Sequence, residues 1–237
     1  MGAVMAAGVA SGVGNDELLE RMAEIGPRGI VRDPLAPVAG LFLRSLLKPA
    51  PLRAAIEALV PARRFSDLSV PLTVTAVDLD TGELVLFGAG ATNAPLVDVL
   101  CASCALPMYY PPVVLNGRRF GDGGLRGIVP LEPAAELEVE LVLAVDVGPR
   151  FDLPLLAEPA RVPAMVRAHD EAMEILMASQ SESQLALWRA DPQRPPLVYV
   201  QPRVERDATF RVDRVREYAA EGRRATREAL ERFARHT

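Results

Sequence analysis

Asp122 is the side chain whose setting says most about chemistry. It stands in Phe120-Gly121-Asp122-Gly123-Gly124-Leu125. Glycines permit positive φ and close backbone approach, so a tight loop can aim this carboxylate into a cleft. A carboxylate within hydrogen-bond reach of a serine hydroxyl can act directly as its base. Taken alone, Asp-Gly-Gly reads as a plain turn; the order of its neighbours has to decide. The rest of the inventory narrows the options. The two histidines are His169, inside a long helical pattern, and His236, beside the C-terminus. Neither sits in a loop, so a Ser-His-Asp triad lacks a suitable histidine. Ser11 falls at a helix end, not on a strand-to-helix elbow. Cys101 and Cys104 can build neither a disulfide framework nor a four-ligand zinc site. They lie in an Ala/Ser/Leu run before Pro107 and read as small buried helix residues. Asp78 and Asp80 read as turn chemistry and not as metal ligands. No metal or cofactor is expected.

The elements that must position Asp122 follow from periodicity and punctuation. Residues 2–10 read as a short buried helix closed by Ser11-Gly12. Asn15 reads as the cap of a helix over about 16–25. Residues 26–38 read as loop, and two helices are expected at about 39–48 and 51–60, broken by Pro49 and Pro51. Leu72–Val77 and Glu83–Phe87 read as a hairpin around Asp78-Leu79-Asp80-Thr81-Gly82. A helix over 95–105 precedes a second hairpin, Val113–Leu115 and Arg119-Phe120 around Asn116-Gly117. Pro130 opens a short helix to about 136. Leu141–Val147 is a continuous apolar run and predicts a buried central strand. Residues 160–189 predict a long amphipathic helix with Val162, Met165, Val166, Ala172, Met173, Leu176 and Met177 on its apolar face. Leu197–Gln201 reads as a last strand, and Asp213 to about Arg235 as a charged helix with a solvated face. Strands alternating with helices predict an α/β sandwich with a mainly parallel sheet.

Composition excludes several classes. The chain has 26 Lys and Arg against 31 Asp and Glu, a net charge of −5, which gives no electrostatic reason to expect nucleic acid. No run of 18 apolar residues occurs, so no membrane span is expected. Residues 1–13 lack the basic leader of a signal peptide, and Ala6 stands where a myristoylation signal needs Ser or Thr. A cytoplasmic protein is the expectation. With 237 residues the chain can form one large domain with a full core.

The order of these pieces resembles the patatin-like acyl hydrolase (phospholipase) domain, in its bacterial branch. The resemblance rests on Cys101-Ala102-Ser103-Cys104-Ala105-Leu106-Pro107, the Pro111-Pro112 pair, the Asn116-Gly117 hairpin and Asp122-Gly123-Gly124. Val70–Leu79 with Thr81-Gly82, and Leu143-Ala144-Val145-Asp146-Val147, fit as well. It covers residues 1–237 as a single domain and is sharpest over 66–149. It implies a three-layer α/β sandwich and hydrolysis of lipid carboxylic esters by a Ser-Asp dyad, with Asp122 as general base and proton acceptor. It implies a lipid or other acyl ester as substrate, with peripheral membrane contact. Ser103 belongs to the structural helix of the pattern. Met1-Gly2-Ala3 looks like the part of a G-x-S-x-G elbow after the serine, with Gly2 as the last elbow glycine. The expectation is therefore an N-terminally truncated domain. Its nucleophile would precede Met1, its oxyanion loop is missing, and the chain as given is inactive. After Gly124-Leu125, Arg126, Gly127 and Ile128 depart from the usual Asn. A non-catalytic module that binds lipid or protein is the alternative, and a purely architectural likeness is a third reading.

Overall fold

The computed structural model describes residues 1–31, 45–88, 90–92, 94–153, 164–205 and 212–235. The backbone divides into two compact units, Met1–Arg126 and Gly127–Thr237, and each is described by itself. The chain is mixed α/β.

The first unit opens with α1 (Gly2–Ala10), which buries Val4, Ala7, Gly8 and Ala10. Gly8 lets this helix approach α2 (Asn15–Gly29), since a Cβ there would stand 2.9 Å from Leu18 Cδ1. Ser11 and Gly12, at φ +80°, end α1 as expected. Asn15 does not cap α2. Gly14 holds the capping position in extended conformation, while Asp16 and Glu17 in the first turn suit the positive end of the helix. Residues 26–29, expected as loop, complete the last turn of α2.

The helix expected over 39–48 lies outside the described residues up to 44, and residues 45–48 are not helical. The Leu46 and Leu47 N–H groups donate to the Met108 and Tyr109 carbonyls at 2.9 Å each. Pro49 explains the difference, because the residue before a proline is pushed out of the α region. Lys48 sits at φ −80°, ψ 131°, and Pro49 opens α3 (Pro49–Leu59) where its missing N–H costs nothing.

The sheet of this unit has four strands in the order β2-β1-β4-β3, all antiparallel. They are β1 (Thr73–Asp78), β2 (Leu84–Gly88), β3 (Val113–Leu115) and β4 (Arg118–Asp122). Asp78 Oδ1 accepts from the N–H of Asp80 at 2.8 Å and of Thr81 at 3.3 Å, and Gly82 takes φ +75°, which closes the first hairpin. Asn116 at φ 49° and Gly117 at φ 78° close the second in the twist that strand pairs favour. The helix α4 (Leu96–Ser103) packs on β1 and β4. Phe87 and Phe120 meet edge to face at 5.3 Å in the core beneath it.

Gly88 ends β2 at φ +115°, and a Cβ there would fall 2.1 Å from the Leu72 carbonyl oxygen. Gly88→Ala is expected to cost at least about 1–3 kcal/mol from backbone strain alone. Urea unfolding checks this, and an unchanged midpoint would refute it.

The second unit holds α5 (Leu131–Ala135), β5 (Val142–Val145), α6 (Ala164–Ala190), β6 (Leu197–Val200) and α7 (Val215–Ala234). The strands β5 and β6 pair in parallel, Val142 opposite Leu197 and Val145 opposite Val200. Leu141–Val147 is not a buried central strand. Ala144 is buried, whereas Leu143 and Val145 are about half exposed (49% and 48%). The strand alternates because one face meets Trp188, Leu131 and Val129. On β6, Val198 and Val200 pack against Ala225 and Ala229 of α7. On α6, Val162 lies outside the described residues. Met165 and Leu176, expected on the buried face, point to solvent, and the buried stripe runs through Val166, Ser181 and Trp188. The helix carries apolar residues on two stripes, and its packed side is fixed by Trp188, whose Nε1–H donates to the Pro195 carbonyl at 3.2 Å.

A mainly parallel sheet is not what the described residues form. Four of the strands are antiparallel because tight turns reverse the chain between β1 and β2 and between β3 and β4. Among the named strands, the parallel arrangement is confined to β5 and β6.

Candidate active site

Asp122 is the last residue of β4, opposite Ala76 of β1. Its N–H donates to the Ala105 carbonyl at 3.0 Å, which ties the strand end to the chain just past α4. The carboxylate caps the single 3-10 turn that follows, Gly123–Leu125, as Oδ1 accepts from the Gly124 N–H at 2.7 Å. The sequence dictates this closeness. A Cβ on Gly123 would lie 2.4 Å from Thr75 Oγ1 and 2.6 Å from the Thr75 carbonyl oxygen, so only glycine passes beside β1 here. The carboxylate is thereby fixed in direction by its own turn and by the neighbouring strand.

The electrostatics follow from that placement. Burial pushes the Asp122 carboxyl above its ordinary value, opposed by the Met1 ammonium and by the Gly124 N–H bond. The amino end of α1 is thus within electrostatic reach of the carboxylate. Cys104 is within electrostatic reach of both. Its thiol is buried and touches Met1 Sδ at 4.0 Å. Burial raises the Cys104 pKa, the Met1 ammonium opposes this, and the Asp122 charge adds to the rise. Asp122, Cys104 and the first turn of α1, which begins at Gly2, therefore converge. Sequence reasoning had Asp122, Gly123, Gly124 and Gly2 but missed Thr75 and Cys104.

Both cysteines are free and buried. Burial pushes the Cys101 thiol up to about 11. Neither thiol is expected to react with iodoacetamide at pH 8 in the folded chain, because the thiolate is the reactive form. Mass spectrometry after brief exposure checks this; rapid modification of Cys101 before unfolding would contradict it.

The remaining candidates are placed as follows. Ser11 donates its hydroxyl to the Ala7 carbonyl at 2.6 Å, and Ser103 is buried in α4. Asp78 is buried and accepts from Arg118, while Asp80 accepts from Arg119. His169 stands 3.5 Å from its neighbour Asp170 on α6. His236 lies outside the described residues. Asp146, just past β5, is buried with three donors: Tyr199 OH at 2.6 Å, the Gly148 N–H at 2.8 Å and Gln201 Nε2 at 3.1 Å. A carboxylate so fully bonded is a structural anchor. Among the described residues no three His, Cys, Asp or Glu side chains gather as metal ligands, and no helix is long and apolar enough to cross a membrane.

A family model described as patatin-like phospholipase matches residues 1–135. An uncharacterized NTE family protein of Mycobacterium bovis is 31% identical over 166 residues, which cover 67% of this chain and 42% of that protein. Uncharacterized NTE family proteins from two strains of Mycobacterium tuberculosis match to the same extent. The chain thus spans about two-fifths of the length of the curated relatives it matches.

Proposed function

The chain belongs to the patatin-like phospholipase family, and from that premise we propose that Asp122 is the general base of a serine-dependent lipid acyl hydrolase site. The observation that carries this reading is the held carboxylate, aimed by the Gly123–Gly124 turn and within electrostatic reach of the amino end of α1. The nucleophile would be a serine immediately ahead of Met1, at the turn into α1. Its Oγ would attack the ester carbonyl carbon while Asp122 takes the hydroxyl proton. The alcohol would leave with that proton, giving an acyl-serine. Water would then attack the acyl carbon, Asp122 again taking the proton and returning it to the serine as the free acid departs. Backbone N–H groups are needed for the oxyanion. The family resemblance assigns them to a glycine-rich loop, and the amino end of α1 adds positive potential.

The substrate class is a lipid carboxylic ester, with contact at a membrane surface. The three-layer sandwich and the single-domain organisation belong to the same reading. Under it, the 237-residue chain by itself turns over no ester, since no serine hydroxyl among its described residues donates to Asp122. The test compares this chain with one extended by its upstream coding sequence. Hydrolysis of p-nitrophenyl butyrate by the extended chain alone, abolished when the upstream serine becomes alanine, is the expected result. Turnover by the 237-residue chain, blocked by Ser103→Ala or Ser11→Ala, would overturn the assignment. A stop codon directly upstream would favour the non-catalytic module.

A further inference from the structure

The second unit contains a cluster of arginines that the hydrolase reading leaves unused. It forms where β6 ends. Val198 and Val200 pack on Ala225 and Ala229 of α7, and these small residues let the helix lie close to the strand. The adjacent face of α7 then carries Arg224, Glu228 and Arg232 at four-residue spacing beside the strand end. The Arg203 N–H donates to Glu221 Oε1 at 2.6 Å, which ties the chain after β6 to α7. Arg150 follows β5 and donates from Nη1 to the Gln201 carbonyl at 3.3 Å. Between these groups lies a cleft of about 230 Å³ lined by Arg150, Gln201, Arg203, Arg224, Glu228 and Arg232. A liquid water takes about 30 Å³, so the space holds a tetrahedral anion with part of its hydration.

We propose that Arg150, Arg203, Arg224 and Arg232 form a binding cleft for a phosphate group. The lining carries four positive side chains against one carboxylate, Glu228. Further acidic groups bear on the arginines. Asp152 takes Nε and Nη2 of Arg150, Glu221 takes Nε and Nη2 of Arg224, and Asp146 acts on Arg150 through space. These pairs orient the forks without exhausting them. Each guanidinium has five N–H donors; after the bonds just named, and that of Arg224 Nη1 to Glu228 at 2.6 Å, Arg150 and Arg224 each keep two. Held planar forks are what bidentate phosphate recognition uses. The location agrees with this, since ligands of parallel α/β sheets bind outside the carboxyl ends of the strands, where Arg150, Gln201 and Arg203 stand.

The proposal does not depend on ester hydrolysis, so the test reads binding alone. Inorganic phosphate is titrated calorimetrically into the 237-residue chain at low ionic strength. Arg203→Gln and Arg232→Gln are compared with it, each checked by circular dichroism. In parallel, sedimentation is measured with vesicles of phosphatidylcholine containing phosphatidic acid. Saturable binding is expected, weakened about tenfold or more by each substitution. If vesicles bind through Arg203 while inorganic phosphate only competes weakly, the source of the phosphate is a lipid headgroup. If phosphate binds and vesicles do not, it is a soluble ligand. No saturable binding in either arm overturns the cleft, as does binding that neither folded variant alters.

Discussion

Asp122→Asn, placed in a chain extended to carry the upstream serine, is expected to lower kcat/KM for ester hydrolysis by about 10²–10⁴-fold. Asparagine keeps the shape of the carboxylate, and its Oδ1 can still accept from the Gly124 N–H, as Asp122 does at 2.7 Å. What it loses is the capacity to take a proton. The variant should therefore remain folded while proton transfer from the serine fails. Hydrolysis of p-nitrophenyl butyrate across a pH series checks this, and equal rates for the two proteins would remove Asp122 from the mechanism.

The same substitution carries a stability signature of definite sign. Burial raises the folded carboxyl of Asp122 above its ordinary value of 3.8. A raised folded pKa means that the folded state holds the proton better than the unfolded chain does. That contribution is fully present below the ordinary pKa and is lost as pH rises through the folded value. Above that window the folded chain carries a poorly solvated carboxylate, and Asp122→Asn carries none. Thermal melts should show the variant gaining on the parent as pH rises above the ordinary carboxyl value of 3.8. A gain that grew toward acid pH would mean that the carboxylate is stabilised in place. A base kept in a site that disfavours its charge is the pattern expected of a functional group.

How much of this was legible in the sequence depends on whether the signal was local. Asn116-Gly117 and Asp78–Gly82 fix their turns through φ and through side-chain bonds to neighbouring N–H groups, so both hairpins were readable. The Asp-Gly-Gly turn was readable for the same reason. Leu141–Val147 was misread because a continuous apolar run does not distinguish a central strand from one covered on a single side. That difference is set by what reaches it, here Trp188 and Leu131 on one face only. The packed side of α6 was misread for a related reason. Methionine and leucine on two stripes make either side apolar, and Trp188, far along the helix, decides. Lys48 was a local error, since Pro49 already disfavours a helix before it. The partners of Asp122 were out of reach, because Thr75 and Cys104 come near it only once β1 and α4 are packed.

Gly123→Ala is expected to damage the site more than any other substitution in the Asp-Gly-Gly turn. A Cβ at Gly123 would meet Thr75 Oγ1 at 2.4 Å and the Thr75 carbonyl oxygen at 2.6 Å. The hydroxyl could rotate away, but the carbonyl is part of the β1 backbone and cannot. The turn must therefore lift from the strand, and Asp122, which caps it, must move as well. Overpacking of this kind costs about 1–3 kcal/mol, and a shift of about 1 Å in a catalytic group can cost on the order of 10²-fold in rate. Thr75→Ala would remove the shorter contact but leave the carbonyl, so the double variant should recover little. Gly2 gives the contrast. Nothing lies within 4 Å of a Cβ there, and alanine is the better helix former, so Gly2→Ala in the 237-residue chain should be neutral or stabilise by up to about 1 kcal/mol. Urea midpoints of the four proteins check both halves. A Gly123→Ala chain as stable as its parent would show that β1 and the Asp122 turn are not held against each other, and the aim of the carboxylate would then need another cause.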